Sequence, residues 1–213
     1  LRRHCKSQKQ SIIGPDLSHR RTLLYELLAA PAVDAAIMTV AEASERPRHR
    51  VAAQAYRYAS EIASDQSYRV IRFFSIILTW LWNRLYNGIE VSHLERVRAV
   101  SDSTEIVYVP CHRSHIDYLL LSYVLYHNGL SLPHIAAGIN LNLFLVGPLL
   151  RRAGAFFMRR SFKEDLLYKA VFDEYIHLLL SKGYSLEHFV EGGRSRTGGM
   201  LTPRPGMINM TLR

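Results

Sequence analysis

Cysteine is scarce: Cys5 and Cys111 are the two in 213 residues, too few and too far apart for a disulfide framework or a zinc site. That usage suits a reducing compartment. Long apolar runs are missing too, with no stretch of eighteen or more apolar residues to match a bilayer-spanning helix. The nearest is residues 73–82, FFSIILTWLW, closed by Arg72 and Arg84 and flanked by Tyr68 and Tyr86. It suits either a helix lying at headgroup level or one packed in a core. Acidic residues are outnumbered, eighteen against twenty-seven Lys and Arg, giving a formal charge of +9 and a pI near 9.8. Such a surface attracts anions, whether nucleic acid, anionic lipid or a phosphorylated small substrate. The Gly-Lys-Ser/Thr ending of a nucleotide P-loop is absent, which excludes that motif. Internal repeats and low-complexity tracts are absent as well.

With 48% apolar residues the chain has the composition of a packed protein, enough for one sizeable domain or a helical region ahead of a compact α/β unit. Leu1 at the start, and a new element opening at Thr202-Pro203-Arg204-Pro205-Gly206, give the expectation of a piece of a longer protein. From Ser18 to about Val100 the hydrophobic spacing is helical. Asp16 or Ser18 can cap a first helix carrying Leu23, Leu24, Leu27 and Leu28. Pro31 ends it and can open a second helix through Val33, Ile37 and Val40. An alanine-rich third runs over about 51–64, and a fourth holds 73–82 and stops at Asn87-Gly88.

After Ser101 short apolar runs alternate with helices, the pattern of a mostly parallel sheet with crossover helices. Strands are expected at 106–109, 133–137, 155–158 and 186–190. Helices are expected at 117–126, at 141–152 with a break at Gly147-Pro148, and from a Ser161 cap to Lys182-Gly183, the last being the longest. The organisation read from the chain is a helical region over 1–100, with a candidate membrane-interface helix near 70–86. An α/β domain over 101–213 follows, cut short at its C-terminal end.

His112-Arg113-Ser114-His115-Ile116-Asp117 follows the first of those strands, and strand ends in a parallel sheet share one edge. If the strand stops near Pro110, the turn folds Asp117 back to accept from one imidazole nitrogen while the other faces a reactant. Asp117 would then fix the tautomer and stabilise the imidazolium, as in a hydrolytic triad without its serine. The competing reading is that the pair merely caps the helix. Ser114, two residues from His112, is expected to cap through its hydroxyl rather than attack a substrate, and His115 to be structural. Neighbours in extended chain point to opposite sides, so Cys111 is expected to be buried and structural rather than a partner of His112.

Two basic clusters follow later strands. Arg159 and Arg160 close GAFFMRR, and arginine's planar fork suits a phosphate dianion. In FVEGGRSRT the glycines let backbone approach a ligand, Arg194, Ser195 and Arg196 follow, and Glu191 is placed to lock one guanidinium by ion pairing. Exposed arginines around a solvated turn are the alternative for both. Together the residues suggest a base that deprotonates a hydroxyl beside arginines that hold an anion, with no metal site in the pattern.

At these blocks the chain resembles the glycerol-3-phosphate acyltransferases, most closely their bacterial membrane-associated sn-1 branch. HRSHID matches the family's first motif through His112 and Asp117. GAFFMRR matches the second, with Arg160 on the family arginine and Arg159 beside it, and FVEGGRS matches the third. GPDLSHRRT and LTWLWNRLYNG look like the helical region that precedes the catalytic domain, so the likeness covers nearly the whole chain. Two departures stand out: Gly199 sits where the family often has a basic residue, and the fourth, proline-containing block is not found before Arg213.

The resemblance implies an α/β acyltransferase fold and transfer of a fatty acyl group from acyl-CoA or acyl-acyl carrier protein to the 1-hydroxyl of sn-glycerol 3-phosphate, giving lysophosphatidate. It implies His112 as base and Asp117 as its orienting acid. Arg159, Arg160, Arg194 and Arg196 would hold the phosphate, with Glu191, Gly192 and Ser195 shaping the loop. No cofactor beyond the acyl donor is implied. The implied setting is the cytoplasmic face of a bacterial inner membrane, held peripherally on anionic lipid. Residues such as Leu119, Leu120 and 141–145 can line an acyl groove, although core packing is the favoured reading. Rival readings are an acyltransferase using lysophosphatidate or dihydroxyacetone phosphate, or a non-catalytic module for anionic membranes. Nucleic acid is not expected as a partner, because the aromatics cluster in the apolar segment instead of interleaving with basic residues.

Overall fold

Four short apolar runs form the strands β1 (Val107–Tyr108), β2 (His134–Gly138), β3 (Ala155–Met158) and β4 (Leu186–Glu187) of a parallel sheet in the order β1-β4-β2-β3. The computed structural model describes residues 20–101, 104–114, 116–162 and 164–212. β4, the last strand in sequence, lies inside the sheet: Leu186 aligns with Val107 on one side and His134 on the other. Parallel neighbours need crossover connections, and helices supply them. The described helices are α1 (Arg20–Ala29), α2 (Pro31–Ala43), α3 (Arg48–Ile62), α4 (Tyr68–Leu85), α5 (Leu94–Ser101), α6 (Asp117–His127), α7 (Val146–Arg152), α8 (Leu166–Ser181) and α9 (Gly206–Thr211).

Side chains alternate along a strand, so the sheet presents two faces. Val107, Leu186, Ala136 and Phe156 meet α1, α2, α3 and α8 through Leu27, Val33, Val51, Ile62, Val171 and Tyr175. Tyr108, on the opposite face, packs with Ile71 of α4, Val97 of α5 and Leu121 and Leu125 of α6. Each fully buried large apolar side chain contributes about 1.5–3 kcal/mol relative to exposure. α1, α2 and α3 therefore share a core with the sheet and α8, while α4 and α5 pack with α6 on the other face, so helices from the first hundred residues cover the sheet on both sides.

Local signals account for several boundaries. Pro31 occupies the first turn of α2, where its missing N–H costs nothing. α8 ends before Gly183, whose φ of +79° turns the chain away. Its N-cap is Asp165, not Ser161, with the Asp165 carboxylate accepting the Tyr168 N–H at 3.0 Å. Such a cap is worth about 1 kcal/mol. α4, at 18 residues, is longer than α8 at 16, and it ends at Tyr86 rather than at Asn87-Gly88. α5 was not legible in the pattern. The expected 141–152 helix is a 3-10 turn, Ile139–Leu141, followed by α7. The caps expected at Asp16 or Ser18 lie outside the described residues, as do Cys5 and His115. Cys111 is exposed, not buried, because the chain beyond β1 has already left the sheet.

α4 has one buried and one exposed apolar face. Ile71, Ser75, Leu78 and Trp82 face the protein, while Phe73, Ile76, Ile77 and Trp80 face outward, Trp80 being 67% exposed. α4 packs beside α7, and the segment entering α7 exposes Leu143, Phe144 and Leu145 instead of burying them, Phe144 at 92%. Core packing of these leucines is thus corrected, since nothing described covers them. No single described helix is long and apolar enough to cross a membrane.

Candidate active site

β1 ends two residues before Pro110, and the chain then turns tightly enough to bring Asp117, the first residue of α6, back onto His112. Asp117 Oδ2 accepts the backbone N–H groups of Arg113 and Ser114, both at 2.7 Å, and lies 3.3 Å from His112 Nδ1. Burial acts to raise this carboxyl, but the Ser114 and Arg113 N–H groups and the His112 ring outweigh it and hold Asp117 below the usual carboxylate range. Ser114 Oγ accepts the Ile116 N–H at 3.2 Å, the local turn role expected of it. The carboxylate does more than cap: it is anchored by backbone and directed at the ring.

The loop beyond β4 closes over the same histidine. The His112 ring stacks on Phe189, with centroids 4.0 Å apart and planes 26° from parallel, and its side chain is 14% exposed. The Ser195 N–H donates to the His112 carbonyl at 2.9 Å. Glu191 does not hold a guanidinium: its Oε1 accepts the His112 N–H at 3.0 Å and its Oε2 the Leu201 N–H at 2.9 Å. Those two donors, Leu201 first, pull its carboxyl below the ordinary value. Gly192 has φ +62°, and its bare Cα lets the Arg204 side chain lie against it.

The arginines divide. Arg159 is committed to Glu61 of α3, with Nε to Oε1 at 2.7 Å and Nη2 to Oε2 at 2.8 Å, and its guanidinium lies against the rings of both Tyr58 and Tyr168. Its guanidinium pKa is raised, chiefly by the Glu61 hydrogen bonds. This ties β3 to α3 and removes Arg159 from the expected phosphate set. Arg160, one residue on, is exposed, as are Arg194 and Arg196, and none of the three has a carboxylate partner among the described residues. Ser195, between the latter two, is buried with its hydroxyl unpartnered. β3 lies three strands from β1, roughly 14 Å at the usual strand spacing. Arg194 and Arg196 lie on the loop after the adjacent strand β4, fastened to His112 through the Ser195 N–H, whereas Arg160 follows β3 at the other end of the strand order.

Two residues of the site escaped the sequence. Arg204, between two prolines, is one. Glu187 is the other: it is fully buried in β4 on the face shared with Tyr108, and neither carboxylate oxygen has a hydrogen-bond partner among the described residues. Burial, reinforced by the Asp117 charge, pushes it up to about 8. Two neighbouring carboxyls are thereby driven in opposite directions, a feature of sites where acid and base roles are separated. Among the described residues no group of three or more His, Cys, Asp or Glu is placed to hold a metal ion.

A parallel sheet whose edge carries a His–Asp turn beside an arginine-bearing glycine loop defines an α/β acyltransferase architecture. The chain belongs to the acyltransferase family, whose model matches residues 88–213. It is 61% identical over 213 residues to the glycerol-3-phosphate acyltransferases of Pseudomonas paraeruginosa (strain DSM 24068 / PA7) and Pseudomonas aeruginosa (strain LESB58). It is 57% identical to that of Pseudomonas putida (strain GB-1). Each comparison covers 100% of this chain and 26% of the relative, so the chain spans about a quarter of the length of these relatives.

Proposed function

We propose that the full-length protein transfers a fatty acyl group from acyl-CoA or acyl-acyl carrier protein to the 1-hydroxyl of sn-glycerol 3-phosphate, giving lysophosphatidate. The observation that carries this reading is the hydrogen bond from Ser195 N–H to the His112 carbonyl, which ties the loop of Arg194 and Arg196 to the residue that Asp117 orients. The backbone of the arginine loop is thus fastened to the backbone of the histidine. In the reaction His112 takes the proton of the hydroxyl as its oxygen attacks the thioester carbonyl, and Asp117 stabilises the imidazolium that forms. When the tetrahedral adduct collapses, the C–S bond breaks and the imidazolium returns its proton to the departing thiolate. Arg160, Arg194 and Arg196 hold the phosphate dianion, and orientation of the hydroxyl against the base contributes several kcal/mol.

The same reading places the protein on the cytoplasmic face of a bacterial inner membrane, on anionic lipid. The outward stripe of α4, Phe73, Ile76, Ile77 and Trp80, is apolar, and exposed Arg69, Arg72 and Arg84 accompany it on the helix. Apolar side chains for the acyl boundary and arginines for anionic headgroups fit an interfacial helix. The neighbouring 143–145 segment extends the apolar surface.

The test is thioester consumption by the full-length protein in detergent or lipid, with and without glycerol 3-phosphate, and with lysophosphatidate or dihydroxyacetone phosphate as competing acceptors. Consumption that depends on glycerol 3-phosphate, and falls by about 10²–10⁴-fold in His112→Ala, is the expected result. Full activity in His112→Ala refutes the base assignment, and preference for another acceptor refutes the substrate.

A further inference from the structure

Resting on the acyltransfer reading, we propose that Arg204 is a further anion-holding residue of this site, gripping a phosphate group beside the loop that carries Arg194 and Arg196. The chain places it deliberately. Pro203 and Pro205 stiffen the backbone on both sides. The Arg204 N–H donates to the Val190 carbonyl at 2.7 Å, and three residues earlier Leu201 N–H is held by Glu191, the same carboxylate that holds His112. The segment bearing Arg204 is thus fastened to the histidine's own support.

Its side chain is laid along the glycine turn. A Cβ on Gly192 would sit 3.0 Å from Arg204 Cδ, 3.5 Å from Nε and 3.7 Å from Nη1. Arg204 therefore occupies the space that a side chain at 192 would take, between Glu191 and Arg194 in the loop. Yet no carboxylate among the described residues pairs with it, and Arg194 and Arg196 on the same loop lack one too. Three exposed arginines within residues 194–204 favour an anion here, and a dianion would accept charge-assisted hydrogen bonds from them. An arginine needed only to brace the turn would be served by a carboxylate, as Arg159 is by Glu61.

Two phosphates are within the chemistry of the reaction: that of glycerol 3-phosphate and the phosphates of the acyl donor. The experiment separates them. In the full-length protein R204Q is compared with wild type and R204K, measuring kcat and the KM for each substrate, and ³¹P line broadening reports the binding of inorganic phosphate. A rise of roughly tenfold in one KM, with kcat little changed and most of the effect recovered in R204K, is expected from loss of one charge-assisted contact. A rise in the KM for glycerol 3-phosphate assigns the acceptor's phosphate, and a rise in the KM for the thioester assigns the donor's. Unchanged KM values together with unchanged phosphate broadening overturn the proposal. A wild type that broadens phosphate through Arg204 but transfers nothing to glycerol 3-phosphate leaves Arg204 as an anion site and sinks the acyltransfer reading alone.

Discussion

Glu191 accepts the backbone N–H of His112 at 3.0 Å across 79 residues of sequence, and with its second oxygen it holds the Leu201 N–H at 2.9 Å. The carboxylate acts as a brace between the turn after β1 and the segment beyond the glycine loop. Glu191→Ala leaves both N–H groups without their charged acceptor and frees His112 to drift. If His112 is the base proposed above, a displacement of about 1 Å there costs on the order of 10²-fold in rate. Glu191→Gln, which keeps one acceptor oxygen, is expected to fall between wild type and alanine in kcat. Equal activity in all three proteins would show that the brace has no catalytic consequence.

Arg159 and Arg194 are expected to fail in different assays. Arg159→Gln removes a bidentate pair with Glu61 that links β3 to α3, so thermal and urea unfolding should show a loss of about 1–3 kcal/mol with the KM for glycerol 3-phosphate unaltered. Arg194→Gln should leave unfolding unchanged and raise that KM about tenfold. The reverse pattern would exchange their roles.

Glu187 gives stability a measurable pH slope. Its carboxyl is raised from 4.5 to about 8, so between those values the folded chain keeps a proton that the unfolded chain has released. Stability then falls as pH rises through that window and levels off above it. His134, whose buried ring is lowered to about 4 by desolvation, acts in the opposite sense: it contributes above 6.5, and that contribution is lost as pH falls toward 4. Of these two groups, only Glu187 acts between pH 6.5 and 8. Urea midpoints across that range should decline in wild type and be flat in Glu187→Gln, with the variant the more stable at pH 8. Parallel slopes would mean that Glu187 ionises normally.

The α4 stripe predicts membrane behaviour. Phe73→Glu with Trp80→Glu places two carboxylates among Ile76, Ile77 and the flanking arginines, without touching the inward Leu78 or Trp82. In the full-length protein, flotation with anionic vesicles should drop several-fold while the melting temperature holds. A lowered melting temperature with unchanged flotation would show that the remainder of the longer protein, not lipid, covers this face.

What was readable in the sequence was local. Asp117 folds onto His112 within six residues, so strand, turn and helix start could be placed without knowing the rest of the fold, and β3 has its expected bounds for the same reason. What was hidden depends on distant chain. Nothing in Arg159-Arg160 tells which side chain turns inward, because Glu61 lies 98 residues away. Glu187 in SLEHF alternates as a solvent-facing residue would, but an interior strand of a parallel sheet is covered on both faces. Glu191 looked like an arginine's partner because carboxylates usually pair with charge. The backbone N–H groups of His112 and Leu201 reach that carboxylate through tertiary structure alone. The cap went to Asp165 over Ser161 because Tyr58 also donates to it, a contact across 107 residues.

β4 is made last yet fits between β1 and β2, so a growing chain passes through a stage with two unpaired strand edges facing an empty slot. Until Leu186 and Glu187 enter that slot, His112 has neither its Phe189 platform nor its Glu191 brace. The turn of His112 therefore acquires its supports only when the last strand is in place, and a polypeptide that is incomplete or partly opened lacks them by its own topology.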